Sequence, residues 1–191
     1  MRWGTDGAPL FFYLIMKRFS FILLTLCCCT SIFAEKLEDR YVMKMADGWQ
    51  LYYICEQEIP ALERKIKPMT ADFTYPTYSD SITMNISVFA SDILATDSIV
   101  LAGKNRKVIR DFKTFFIEKE NKLWTHRYNM RFPFENAVQL YNDPSPYTLT
   151  VYAQGKVISY SFSPKAWQKE KDVMQQIFRI IYTNKRLYQT K

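Results

Sequence analysis

The clearest periodicity in the chain lies at 81–90, where Ile82, Met84, Ile86 and Val88 fall on one face and Thr83, Asn85 and Ser87 on the other. A period of two with one apolar side is the signature of a half-buried strand, and such strands suit an antiparallel sheet with one wet face. The alternation recurs at 124–132: Trp124, His126, Tyr128, Met130 and Phe132 share one face, and Thr125, Arg127, Asn129 and Arg131 the other.

Turn chemistry links the runs. Asp47 and Gly48 stand between apolar stretches at 40–45 and 49–55, and Asp-Gly between such stretches predicts a tight hairpin. Gln154 to Lys156, with Gly155 at the centre, does the same between 147–153 and 157–162. Further strands are expected at 98–102, 107–110, 113–118 and 122–132, broken by polar turns at 103–105 and 119–121, as in a meander of hairpins.

Helical signals are fewer. Pro60 near the start and Pro68 as a stop predict a short helix over 59–66, and 133–141 reads as a helical turn before a loop held extended by Pro144 and Pro146. The long helix begins at Ser163 as cap and Pro164 as first residue. Trp167, Met174, Ile177, Phe178 and Ile181 then form one apolar stripe, with Lys165, Lys169, Lys171 and Arg179 off it. The expected fold class is α+β: a mostly antiparallel meander sheet with a C-terminal amphipathic helix packed on one face.

The order strand, tight turn, strand, amphipathic helix over 147–183 resembles the PsbP-like α/β sandwich. In its leader and general composition the chain is similar to small exported proteins of unknown function from Bacteroides-type bacteria. These resemblances imply a layered exported domain and transfer no functional residue.

The N-terminal pattern sets the compartment. Met16, Lys17 and Arg18 precede an uncharged apolar run at 19–34, followed by Glu35 and Lys36. That is the layout of a signal peptide, and the run is shorter than the roughly 18–20 residues that span a bilayer. Residues 1–34 are therefore expected to be an N-terminal extension plus signal peptide starting at Met16, and 35–191 a single globular domain that is not transmembrane. Lipid anchoring at Cys29 is the alternative end-state. Cleavage near Ala34 would place the domain in the periplasm or outside the cell.

Three of the 4 cysteines lie at 27–29, so 35–191 keeps Cys55 alone and cannot form an internal disulfide. Cys55 follows Leu51, Tyr52, Tyr53 and Ile54 and is expected to be buried. A domain of this size buries roughly 70% of its unfolded surface and needs no staples. The net charge of +7 is spread among acids rather than gathered in a stripe, which argues against nucleic acid and allows an anionic surface.

With 1 histidine in the chain, His-rich zinc centres and HExxH sites are excluded, and no cofactor or metal is expected. No GxSxG elbow or P-loop occurs, so no catalytic residue is assigned. Candidate binding residues come from 122–132. Trp124, His126 and Tyr128 would stack on a sugar or peptide if their face were open, and would be core if it were covered. Arg127 and Arg131, joined by Arg110 and Lys107, would make a modest anion patch if not merely a solvated face. Asn85, Ile86 and Ser87 match a glycosylation sequon, a motif short enough to arise by chance.

The function expected is an exported, non-catalytic binding or accessory protein whose partner is an envelope protein, a glycan or an anionic surface. Two alternatives stand beside it: an envelope hydrolase acting on glycan or lipid through His126 or a carboxylate pair, and a structural subunit of an envelope assembly docking by a strand edge.

Overall fold

The computed structural model describes residues 37–104, 106–109 and 112–189. The expected export segment at 1–34 and Arg110 lie outside them. After a 3-10 turn at Leu37–Arg40 come β1 (Tyr41–Ala46), β2 (Trp49–Ile59), β3 (Met69–Pro76), β4 (Ser81–Ala90), β5 (Thr96–Gly103), β6 (Arg106–Ile109), β7 (Phe112–Glu120) and β8 (Leu123–Pro133). Helix α1 (Phe134–Asn142), β9 (Thr148–Ala153), β10 (Lys156–Ser161) and helix α2 (Pro164–Gln189) complete the order. The fold is α+β and the described strand pairings are antiparallel.

The strands divide between two sheets. One runs β1-β2-β3-β4-β8-β7 and the other β10-β9-β5-β6. Local hairpins account for β1-β2, β7-β8 and β9-β10, and the turn signals lie where the backbone needs them. Asp47 and Gly48 both have positive φ (42° and 85°), as do Gln154 and Gly155 (48° and 75°). Two consecutive residues at positive φ match the right-handed twist of the flanking strands. Beyond the adjacent residues no described atom lies within 4 Å of a Cβ placed on either glycine, so the constraint at both is conformational rather than steric.

Strand β3 alternates buried Met69, Ala71, Phe73 and Tyr75 with half-buried Thr70, Asp72 and Thr74. Strands β4 and β8 align so that Ile82, Met84, Ile86 and Val88 stand opposite Phe132, Met130, Tyr128 and His126, all buried. The helices cover part of this inner face. Phe134 of α1 stacks on Tyr75 and meets Phe178 of α2 edge-on, and Tyr141 packs on Trp167.

The stripe expected on α2 is the buried one. Trp167, Met174, Ile177, Phe178 and Ile181 are each no more than 2% exposed. Ser163 caps the helix, its Oγ accepting the Ala166 N–H at 3.3 Å. Polar contacts tie α2 down at both ends: Glu170 pairs with buried Arg40 at 2.7 Å, and Asn184 donates to Tyr52 Oη at 2.7 Å. Between them Gln57 donates to Met174 Sδ and accepts the Tyr141 hydroxyl, so a polar side chain inside the core keeps its partners. The second sheet adds Ile99, Leu101, Leu149, Val151 and Tyr160 to the same core.

The short helix expected over 59–66 does not form. Strand β2 instead continues to Ile59 after a bulge between Ile54 and Gln57. The chain then runs along the edge of β10: the Ser161 N–H donates to Pro60 O (3.0 Å), the Leu62 N–H donates to Ser159 O (2.8 Å), and Ala61 bridges Tyr160. A helix here would leave those β10 groups without partners, and unpaired backbone polar groups are costly. Cys55 is half-buried rather than buried, within the bulge of β2 between Ile54 and Gln57.

Candidate functional site

The two faces of β8 resolve the open question about its side chains. His126 and Tyr128 are core residues, at 0% and 1% exposure, so the aromatic face is covered and cannot stack on a ligand. Trp124, nearer the strand's start, is half-buried, with the Lys119 ammonium 5.6 Å from its ring centroid. Tyr128 shares a 2.6 Å hydrogen bond with Thr96 Oγ1, and burial raises its pKa against the lowering effect of that bond.

The opposite face is a polar ladder that satisfies itself. Arg127 pairs with Asp72 and donates to Ser87 Oγ at 2.7 Å; Asn85 donates to Asp72, and Asn129 donates to Asn85. Arg131 donates to Ser79 Oγ at 3.1 Å. With its guanidinium engaged by a carboxylate, Arg127 is not a vacant anion receptor. Strand β6, where Lys107 lies, belongs to the other sheet and does not flank β8. The Asn85 amide is part of the ladder in mid-strand and 9% exposed, which leaves the sequon sterically unavailable in the folded chain.

An open cleft of about 540 Å³ lies instead at the end of the molecule where β4 stops and β8 and β10 begin. Phe89, Ala90, Leu94, Leu123, Val157 and Ile158 form its apolar wall, with Ile66 at the side. Around that wall stand Lys65, Lys67 and Lys156, with Glu63 and Asp92. The Lys67 ammonium sits 3.8 Å from the Phe89 ring centroid, a cation held over an aromatic face. The Asp92 carboxylate accepts the Ser91 hydroxyl at 3.0 Å. Among the described residues none of the three lysines forms an ion pair.

His126 stands behind this wall. Its Nε2 accepts the Leu94 N–H at 3.3 Å and lies 3.4 Å from the Asp92 carbonyl, so the buried ring holds the loop that carries two cleft residues. With Nε2 as acceptor the proton resides on Nδ1, which is buried with no hydrogen-bond partner. Burial lowers the pKa of the ring, and the Asp92 carbonyl, which only a protonated Nε2 could meet as a donor, opposes this in part. His126 is a positioning residue for the loop and touches no space a substrate could enter.

A smaller groove of about 370 Å³ runs between α1 and α2, past Val138, Tyr182 and Arg186. Several of its polar groups are already partnered: Gln175 donates to Tyr141 O and to Asn142 Oδ1, and the Tyr182 hydroxyl bonds Glu135. The described residues contain no group of three or more His, Cys, Asp or Glu able to hold a metal, and no helix long and apolar enough to cross a membrane.

Sequence reasoning did not find the cleft. Arg64, Lys65 and Lys67 form a dense basic cluster, and Gly155 to Lys156 marks a turn. Both signals are visible, but their meeting beside Phe89 depends on how β10 crosses the end of β4. No family model matches the chain, and no curated protein or solved structure matches it closely enough to lend a fold name or a residue role.

Proposed function

We propose that the chain is an exported, non-catalytic binding or accessory module of the cell envelope, and that it takes its ligand in the cleft bounded by β4, β8 and β10. The observation that carries this reading is the cleft's composition: apolar side chains from four segments stand together with three lysines around a volume of about 540 Å³. Small-molecule sites occupy roughly 300–1,000 Å³ and combine an apolar lining with a few polar groups. Among the described residues no histidine or cysteine lines it, so they assemble no nucleophile–imidazole pair there. The leader pattern at 16–34 supports export.

Native mass spectrometry of the protein purified from its own envelope tests the reading. A bound species of defined mass is expected, and it should be lost in Val157→Trp, which fills the cleft mouth at a position 51% exposed and therefore tolerant of bulk. A ligand retained in full by that variant, or hydrolytic turnover of envelope lipids or glycans by the pure protein, would overturn it.

A structural subunit is the second reading, favoured by the edges of the first sheet, where β1 and β7 are the terminal strands among the described residues. Val42, Met43 and Met45 of β1, and Phe115, Phe116 and Ile117 of β7, are exposed apolar side chains on terminal strands. Unpaired strand edges recruit other strands. Crosslinking through cysteines placed at Lys44 or Lys113 would trap an edge partner if this reading holds.

A further inference from the structure

We infer that the cleft is a receptor for an anionic amphiphile, a molecule with a carboxylate or phosphate head and one apolar tail; this rests on the cleft being the ligand site. Three ammonium groups, Lys65, Lys67 and Lys156, face two carboxylates, and one of these, Asp92, already accepts a hydroxyl. The excess is positive, and none of the lysines is neutralised by an ion pair within the described residues. An anionic head supplies the counter-charge these groups lack.

The placement of the cations matters as much as their number. Lys67 holds its ammonium over Phe89, one of the apolar side chains that line the cleft. Lysine stems bury their methylenes against apolar surface while the head stays wet, so the wall extends up to the charge. A ligand that is charged at one end and hydrocarbon along the rest meets both zones at once. Its tail would displace water from Ala90, Leu123 and Val157, which are not buried, and its head would lie among the lysines.

Other ligand classes fit less well. A glycan or a nucleobase needs an open aromatic face to stack on, and the cleft's aromatic ring, Phe89, is covered by Lys67. An extended peptide pairs with a free strand edge, whereas the β10 edge beside the cleft is occupied by 60–62.

The test is calorimetric titration of the mature protein, below micellar concentrations, with dodecanoate, dodecyl phosphate, dodecanol and dodecyltrimethylammonium, and with acetate and inorganic phosphate as tail-free controls. Both anionic amphiphiles are expected to bind at least about tenfold more tightly than the other four, more weakly as salt rises. The stronger of the two separates a fatty-acid source from a phospholipid source. The combined variant Lys65→Gln, Lys67→Gln, Lys156→Gln should lose about tenfold toward the anions and become indifferent to head charge, while Val157→Trp should weaken every amphiphile.

If dodecanol or the cationic amphiphile binds as well as dodecanoate and Val157→Trp still weakens it, the cleft is the site and the anion preference is wrong. Tail-free phosphate or acetate binding as tightly as its amphiphile would remove the tail from the proposal. Should no amphiphile bind, or should Val157→Trp leave their binding unchanged, the reading of the cleft as the ligand site falls with it.

Discussion

The two faces of β8 share one backbone and are stabilised by opposite means. The inner face, from His126 to Phe132, is sealed under α1, α2 and the second sheet, and holds by packing. The outer face, with Arg127 and Asn129, is half-exposed and holds by a chain of hydrogen bonds anchored on the Asp72–Arg127 pair. Side-chain alternation sorts residues onto faces without saying what covers either one. Here the inner face is covered and the outer face is hydrogen-bonded within itself, and the cleft lies where β8 begins.

The comparison breaks most severely if the cover of the inner face is charged. Ile177→Asp would place an unpaired carboxylate at a fully buried position of α2, at a cost comparable to the whole stability of about 5–15 kcal/mol. The variant is expected to lose its cooperative thermal transition and near-ultraviolet circular dichroism. A melt like the parent's would mean that α2 is not core.

A milder break comes from His126. Replacing it with Asn removes the acceptor of the Leu94 N–H and some packing, an expected loss of about 1–3 kcal/mol in urea denaturation. Acid adds a second signature. Because burial holds the ring's pKa in the folded protein below 6.5, the unfolded chain takes up the proton first as pH falls. Stability contributed by the neutral ring is present above pH 6.5 and is lost as the pH drops below it, and this part of the pH dependence should vanish in His126→Asn.

The outer face should respond less, and to salt. A double-mutant cycle on Asp72→Ala and Arg127→Ala is expected to give a coupling of about 1 kcal/mol, since both groups remain partly exposed. The coupling should shrink in concentrated salt, whereas the effect of Ile177→Asp should not.

The smallest effect belongs to the solvent side of α2. Lys165 sits in the first turn of a helix that has no acidic residue there, so Lys165→Glu should stabilise by about 0.3–1 kcal/mol through the helix dipole. Differential scanning calorimetry would register this as a small rise in Tm.

Local signals determined the elements that depend on a few neighbouring residues. The hairpins at Asp47–Gly48 and Gln154–Gly155, the alternation of β4 and β8, helix α1, and the cap and stripe of α2 all follow from residues that contact near neighbours or fall on a single periodic face. Strand β3 escaped notice although Met69, Ala71, Phe73 and Tyr75 alternate, because Pro68 and Pro76 bracket it like a loop.

Long-range pairing decided the rest. Whether β8 joins β4, whether β5 leaves for a second sheet, and whether 60–62 coils or lies along β10 are each settled by backbone groups far apart in the chain competing for partners. The candidate site is of this second kind. Lys65, the pair Phe89 and Asp92, Leu123 and Lys156 come from four separate segments with nothing periodic between them, and only the closing of two sheets around one core brings their charges and hydrocarbon to the same cleft.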